Sequence, residues 1–193
     1  IYYNLGNAYL KSGKPGRALL NYRKAEAFMP RDEDLRANIQ YVQGIIKDKI
    51  ECQEFLPFLK SLCFWYSWLN LRELMYVFLF VNFLFWFILA LRTFYPRDIF
   101  ATITHVFLFL TVVSGISFGI KAYNFYLVDK GVVIATEVVV RSGSSVNDTA
   151  LFKLHEGTEF FWLETNNGWV KIRLCDNKKG WVKKELVEKI NIG

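Results

Sequence analysis

Two long stretches of the chain carry no charged residue, and they constrain the fold more than any other feature. Leu74 to Leu91 covers eighteen residues, and Ile99 to Ile120 covers twenty-two. An α-helix rises about 1.5 Å per residue, so each stretch is long enough to cross a hydrocarbon layer of roughly 30 Å. Runs of this kind exclude a soluble enzyme built around a single core. The sequence therefore predicts an integral membrane protein with a small water-soluble module before the spans and another after them.

Charge and cysteine content narrow the remaining classes of function. The 193 residues carry a formal net charge of +6, but the basic residues are scattered among acidic ones and form no dense block. This distribution favours a solvated surface over a nucleic-acid site, so we expect no nucleic-acid partner. The three cysteines, Cys52, Cys63 and Cys175, are odd in number and have no CxxC spacing, so they predict no metal site and give no support for a disulfide framework. Because the chain begins with Ile1, we expect it to be a fragment or a processed form.

Residues 1–50 are predicted to form a helical repeat followed by one more helix. A Gly13–Pro15 break separates two stretches with helical periodicity, and Pro15 suits the first turn of the second helix, where a missing N–H is no loss. Gly6 and Ala18 are small where two antiparallel helices would approach closely. A third helix begins near Asp32, with acidic residues in its first turn. The region resembles a tetratricopeptide repeat at eight signature positions: Tyr2, Leu5, Gly6, Tyr9, Ala18, Tyr22, Ala25 and Pro30.

The resemblance to this repeat family implies a groove that holds a peptide or a partner helix. Tyr3, Asn7 and Lys11 from the first helix and Asn38 from the third would face that groove. A single repeat cannot bury its own apolar face, so we expect either further repeats or a protein partner that covers it. The alternative, that Asn7 and Lys11 are merely solvated, stays open at this point.

Residues 51–71 connect the repeat to the first span and are predicted to form an amphipathic interfacial helix. Apolar residues recur at helical spacing, and Trp65, Tyr66 and Trp68 cluster near the end. Amphipathic aromatic side chains favour the headgroup layer of a membrane. A helix that packs on the repeat is the alternative.

Residues 72–121 are predicted to form a two-span hairpin, with spans at 74–91 and 99–120. A hairpin places both soluble modules on the same side of the membrane, whereas the charges flanking the spans leave open which side that is. Asn82 and His105 lie at similar depths and are expected to share an interhelical hydrogen bond. Gly115 and Gly119 have the spacing that lets helix backbones approach.

Residues 131–190 alternate apolar and polar side chains between turn-rich segments, which predicts five or so short strands in a small barrel. The spacing resembles a bacterial SH3 domain at Val140-Arg-Ser-Gly-Ser, Gly168-Trp-Val-Lys-Ile and Gly180-Trp-Val. The resemblance implies binding of cell-wall peptides or partner proteins. Its candidate ligand patch consists of Trp162, Trp169 and Trp181, although core packing accounts for at least two of them.

The whole chain is thus predicted to be a multi-module membrane protein: a helical repeat, a two-helix transmembrane hairpin and an all-β SH3-like barrel. No catalytic set, metal-ligand cluster or phosphate-binding loop is evident, so we expect no enzyme and no cofactor. The order of modules, together with Tyr3-Asn-Leu-Gly-Asn-Ala-Tyr, Leu20-Asn-Tyr-Arg-Lys-Ala and Leu151-Phe-Lys-Leu-His-Glu-Gly-Thr, resembles the BatE family of Bacteroides aerotolerance proteins.

That resemblance implies a bacterial inner-membrane protein with both modules in the periplasm. It would work beside membrane-anchored von Willebrand-type proteins and a MoxR-type ATPase in oxidative-stress tolerance or envelope maintenance. Two hypotheses follow: a scaffold that binds protein partners through the repeat, or a module that binds peptidoglycan peptide through the barrel.

Overall fold

A computed structural model describes residues 1–50, 64–95 and 97–190. The chain divides into two compact units, one made of Ile1–Leu62 with Val128–Gly193 and the other of Cys63–Leu127. The N-terminal helices and the C-terminal sheet therefore belong to one unit, although the second unit lies between them in sequence.

The N-terminal part of the first unit contains three helices: α1 (Tyr2–Lys11), α2 (Pro15–Glu26) and α3 (Glu33–Ile45). Pro15 is the first residue of α2, as its missing N–H predicts. The Asp32 side chain caps α3 by accepting a hydrogen bond of 2.8 Å from the Leu35 amide. A Cβ atom on Gly6 would lie 2.5 Å from the Tyr22 ring, so α1 and α2 pack this closely only with glycine at that position. The buried core consists of Ala18, Leu19, Tyr22, Ala25, Leu35, Ile39, Val42 and Ile46.

The C-terminal part of the first unit is a seven-stranded antiparallel sheet with strand order β3-β2-β6-β5-β4-β1-β7. The strands are β1 (Lys130–Val133), β2 (Glu137–Arg141), β3 (Ala150–His155), β4 (Glu159–Asn166), β5 (Trp169–Arg173), β6 (Lys179–Lys183) and β7 (Val187–Lys189). Seven strands are present where five or so were expected, because residues 134–136 break the strand-like segment from Val132 to Arg141 into β1 and β2, and β7 follows β6 as a further strand. Inward-facing residues of the strands, such as Val140, Val170 and Ile172, form the buried core.

The second unit contains α4 (Phe64–Trp68), α5 (Leu71–Phe94) and α6 (Asp98–Tyr126). Both α5 and α6 are long and apolar enough to cross a membrane. The predicted spans at 74–91 and 99–120 lie inside them. Asn70 begins α5 with a capping box, in which its side chain bonds the Glu73 amide and the Glu73 side chain bonds the Asn70 amide.

The short helix α4 is fixed to the end of α6. The Lys121 ammonium donates hydrogen bonds to the carbonyl oxygens of Tyr66 and Leu69, and the Trp65 indole N–H donates to the Ser117 hydroxyl at 3.4 Å. The two Lys121 bonds satisfy backbone carbonyls that the short helix leaves free at its end. Most of the predicted interfacial helix at 51–71 lies outside the described residues.

Candidate functional site

Three of the four residues predicted to bind a partner come together on the N-terminal helices. The Asn38 amide on α3 donates to the Tyr3 hydroxyl and to the Asn7 side-chain oxygen on α1, both at 3.2 Å. The buried Tyr22 on α2 donates its hydroxyl to the same Asn7 oxygen at 2.7 Å. Burial and the neighbouring Tyr3 raise the pKa of Tyr22, so this hydroxyl stays protonated as a donor. Lys11 is exposed one turn beyond Asn7 on α1.

This polar cluster has the chemistry to bind a peptide. The contacts of the described residues occupy the Asn7 oxygen and the Asn38 nitrogen, so the Asn7 amide N–H groups and the Asn38 carbonyl oxygen remain able to bond a ligand. The Asn7 amide can donate to the C=O of a peptide backbone, and the Asn38 carbonyl oxygen can accept from its N–H. The Tyr22 and Tyr3 contacts hold both amides in place. The cluster is therefore hydrogen-bonded within itself, and its binding of a partner stays a prediction.

A second concentration of polar residues joins the N-terminal helices to the barrel. Asp48, just after α3, accepts hydrogen bonds from the Thr158 hydroxyl at 2.6 Å and from the His155 amide at 2.7 Å. Its other oxygen lies 2.7 Å from the His155 Nδ1 atom. The Lys47 ammonium can only donate and lies 2.9 Å from His155 Nε2, so Nε2 accepts and Nδ1–H donates to Asp48. Burial alone would raise the pKa of Asp48, but the bonds from Thr158 and His155 outweigh it and hold that pKa below its ordinary value.

The helix α2 contacts the barrel at both of its ends. Near its start, the Gly16 amide donates to the Glu156 carboxylate at 2.9 Å, where the helix dipole favours negative charge. Near its end, Arg23 binds both oxygens of Glu159 at 2.7 and 2.9 Å. Burial opposes the charge on Arg23, but the carboxylates of Glu159 and Glu26 outweigh that cost and raise its pKa. We call the contacts of Gly16, Arg23 and Asp48 with the barrel the junction.

An apolar contact in the junction depends on one glycine. Gly157 has a φ of +89°, a conformation that side chains rarely adopt, and a Cβ atom there would lie 2.6 Å from Ile46 at the end of α3. The turn from His155 to Thr158 therefore fits against the helices only with glycine at its tip. The residues His155-Glu-Gly are predicted as a turn between strands, but nothing local in them marks a binding surface.

Cys175, which follows β5, is disulfide-bonded. The side chain lines a crevice of about 360 Å³ with junction residues such as Asp48, Ile50 and Thr158. The odd number of cysteines had given no support for a disulfide framework, so this bond corrects that expectation. Its partner lies outside the described residues.

The three barrel tryptophans do not share one face. Trp162 packs against the core, and its indole N–H donates to Thr165 at 3.0 Å. Trp181 lies on the outer face, opposite Lys171, whose ammonium is 5.5 Å from its ring centre. Trp169 is 8% exposed and lines an open crevice of about 600 Å³ with Gly168, Lys183, Lys184 and Glu185. Of the three, Trp169 is the one placed at a crevice that a ligand can enter.

The four residues predicted to pack the helices of the hairpin differ in whether they contact the other helix. Gly115 faces α5, where an added Cβ atom would lie 3.1 Å from Phe78, whereas the same atom on Gly119 would meet nothing within 4 Å. His105 is exposed and Asn82 is half-buried. No hydrogen bond joins them among the described residues, which corrects the expected interhelical bond. The physical reason is that α6 turns the preceding residue, Thr104, toward its buried face, and His105 is rotated away.

Residues 136–188 match the family model of the bacterial SH3 domain, which covers β2 to β7. Among curated proteins no match to the chain is found. The chain therefore contains a bacterial SH3 domain, while its N-terminal helices and its two apolar helices are characterised by their structure alone. Among the described residues, no group of three or more His, Cys, Asp or Glu side chains is arranged to hold a metal ion.

Proposed function

We propose that the protein is a non-enzymatic, membrane-anchored adaptor that binds a protein partner through the groove of a tetratricopeptide repeat. The observation that carries this proposal is the hydrogen-bonded cluster of Tyr3, Asn7 and Asn38. It joins side chains 31 residues or more apart in sequence and leaves a donor and an acceptor for a peptide. Cofactor chemistry has no part in this role.

The hairpin anchors the adaptor in the membrane. Two helices of sufficient length and hydropathy support this role. The segments before and after them contact each other through the junction, which supports the placement of both modules in one compartment. The disulfide at Cys175 favours the periplasm, because disulfides form and persist in oxidising compartments.

The setting that we propose is the bacterial inner membrane, in an aerotolerance or envelope-stress system of the BatE type. The proposed partners are other membrane proteins of the same operon, in particular proteins with von Willebrand-type domains. The bacterial SH3 domain supports an envelope location. The predicted order of modules, a helical repeat, a hairpin and a barrel, is what supports the comparison with that family.

Co-purification of a membrane partner tests the adaptor role. Asn7→Ala combined with Lys11→Ala removes a groove amide and a groove cation, and we expect recovery of the partner to fall several-fold. Asn4→Ala combined with Lys14→Ala is the matched control, because both residues are exposed and take no part in the polar cluster. Equal recovery with the two double variants would count against the adaptor role.

A second candidate function is binding of peptidoglycan peptide through the barrel, and the bacterial SH3 match together with the crevice at Trp169 favours it. The full chain in detergent should then sediment with purified cell-wall sacculi. Lys184→Ala with Glu185→Ala, which changes the exposed lining of the crevice, should reduce that retention. Glu137→Ala with Lys153→Ala removes an exposed ion pair elsewhere on the barrel and serves as the control. Absence of retention at low salt would reject this function.

A further inference from the structure

The register of the barrel places three cations and one aromatic ring in a single row across four strands. Lys130 on β1 is directly opposite Phe161 on β4, Phe161 is opposite Arg173 on β5, and Arg173 is opposite Lys179 on β6. Directly opposite residues of antiparallel strands point to the same face of a sheet. We call Lys130, Phe161, Arg173 and Lys179 the cationic row.

The row lies on the outer face of the sheet. Its neighbours along β5 and β6, Val170, Ile172 and Val182, are buried and point to the core, so Arg173 and Lys179 point away from it. Lys130 and Lys179 are exposed, and Phe161 is half-buried between cations. The Arg173 guanidinium carbon is 4.4 Å from the centre of the Phe161 ring, and the Lys130 ammonium is 5.8 Å from it.

The charges of the row are not neutralised within the part of the chain that the structure describes. There, Lys130, Arg173 and Lys179 form no ion pair, and the only side chain that Arg173 hydrogen-bonds is the neutral Asn177. Five of the six other barrel lysines differ in this respect, because each has a carboxylate within 4 Å: Lys153, Lys171, Lys178, Lys183 and Lys189. The row is thus a local excess of positive charge around an aromatic ring.

Chain connectivity limits how far Lys130, the first residue of the row, can lie from the end of the second apolar helix. Helix α6 ends at Tyr126, and β1 begins with Lys130. The four residue steps from Tyr126 to Lys130 span at most roughly 14 Å. This distance is comparable to the length over which salt screens a charge, about 10 Å at 0.1 M salt. Tyr123 and Tyr126, both exposed on the last turn of α6, are of the type that occupies the headgroup layer.

We propose that the cationic row binds the anionic phospholipid headgroups of the membrane that the hairpin spans. The cations pair with headgroup phosphates, and Phe161 sits among them as interfacial aromatic residues do. This inference rests on the proposed membrane anchoring. It adds a lipid contact on the barrel itself.

Lysine labelling of the full chain in lipid nanodiscs tests the proposal. In discs of phosphatidylcholine mixed with phosphatidylglycerol, acetylation of Lys130 and Lys179 should fall about threefold or more relative to phosphatidylcholine alone. Lys153, on the far edge strand β3 and paired with Glu137, is the internal control and should label equally in both. Raising the salt to about 1 M, where the screening length is about 3 Å, should remove the difference.

A pair of charge variants shows whether the row acts as a unit. Arg173→Gln with Lys179→Gln should abolish the lipid-dependent protection of Lys130. Lys153→Gln with Lys183→Gln removes the same charge from elsewhere on the barrel and should leave the protection intact. Thermal unfolding of each variant checks that the barrel is folded. If a variant does not fold, the lipid-dependent labelling of the wild-type protein still tests the proposal.

The possible outcomes separate the lipid contact from the anchoring on which it rests. A chain that enters the discs but labels Lys130 and Lys179 equally in both lipids overturns the lipid contact alone. A chain that alkaline carbonate extracts from membranes overturns the anchoring and the lipid contact together. Protection of the row by soluble cell-wall peptides in neutral discs, without any effect of anionic lipid, would assign the row to an acidic peptide and also overturn the proposal.

Discussion

Arg23 on α2 and Glu159 on β4 form a two-pronged ion pair, with Nε–Oε1 and Nη2–Oε2 distances of 2.7 and 2.9 Å. One residue precedes the two apolar helices in sequence and the other follows them. If α5 and α6 cross a membrane, this pair can form only when both segments are on the same side of it. Two crossings satisfy that condition, and the junction therefore supports the hairpin independently of hydropathy.

Reversing this pair should separate its electrostatic contribution from simple damage. Arg23→Glu places a carboxylate against those of both Glu159 and Glu26 and should lower the free energy of unfolding by about 1–3 kcal/mol. The side chains are 24% and 32% exposed, so the lower half of that range applies. Combining it with Glu159→Arg should restore most of the loss in thermal unfolding of the full chain in detergent. A double variant no more stable than Arg23→Glu alone would contradict the pairing.

The low pKa of Asp48 predicts how the junction responds to acid. Its folded-state pKa lies below the ordinary value of 3.8, so the stabilisation is complete above that pH and is lost as the pH falls through the folded-state value. Asp48→Asn should cost about 1–3 kcal/mol at neutral pH, and its deficit relative to wild type should shrink in acid. Thermal unfolding measured from neutral pH down to about pH 2 checks this.

The control for Asp48 is Asp129→Asn. Asp129 pairs with Lys189 at 2.8 Å, but its side chain is 42% exposed, so its loss should change stability by well under about 1 kcal/mol. An Asp48→Asn deficit that stays constant down to the lowest pH would show that the carboxylate charge is not what stabilises the junction.

Two helical glycines are predicted to respond oppositely to the same substitution. Gly6→Ala pushes a methyl group to within 2.5 Å of the Tyr22 ring and should destabilise by about 1–3 kcal/mol. Gly44→Ala on α3 meets nothing within 4 Å and should stabilise the helix by up to about 1 kcal/mol. Chemical unfolding of the two variants decides this, and destabilisation by both would contradict the tight packing of α1 on α2.

The disulfide at Cys175 predicts how many thiols of the chain react with a labelling reagent. The chain has three cysteines, so one thiol should react with a maleimide polymer in the denatured, unreduced protein, and all three should react after reduction. Cys175→Ser should raise the unreduced count to two, because it frees the partner thiol. Three reactive thiols in wild-type protein taken from intact cells would contradict both the disulfide and the periplasmic placement that it favours.

Local signals in the sequence predict the elements of this fold well. Pro15 and the capping residue Asp32 mark where α2 and α3 begin, and the charge-free runs mark α5 and α6. The resemblance to a helical repeat predicts that Asn7 and Asn38 face one groove, and the structure joins the two side chains by a hydrogen bond. Two features of the sheet are missed: the break at Ala135 and Thr136, which carry none of the residues that usually mark a turn, and the short strand β7.

Local sequence signals do not predict the junction, and the reason is physical. It joins Gly16 to Glu156 and Arg23 to Glu159 across 140 and 136 positions, and each residue alone looks like an ordinary surface side chain. Complementarity of this kind exists only after both halves have folded. The disulfide of Cys175 is hidden in the same way, because three cysteines without a motif do not show which of them meet.

Carbodiimide crosslinking in intact membranes tests the central claim most directly, namely that the helical module and the barrel form one body on one side of the membrane. The reagent joins a lysine to a carboxylate in direct contact, and Lys24 on α2 lies 3.9 Å from Glu188 on β7. The account predicts a linked Lys24–Glu188 peptide alongside the local Lys171–Glu164 link, which lies within the barrel. Recovery of the local link without any link between residues 1–50 and 130–190 would contradict it.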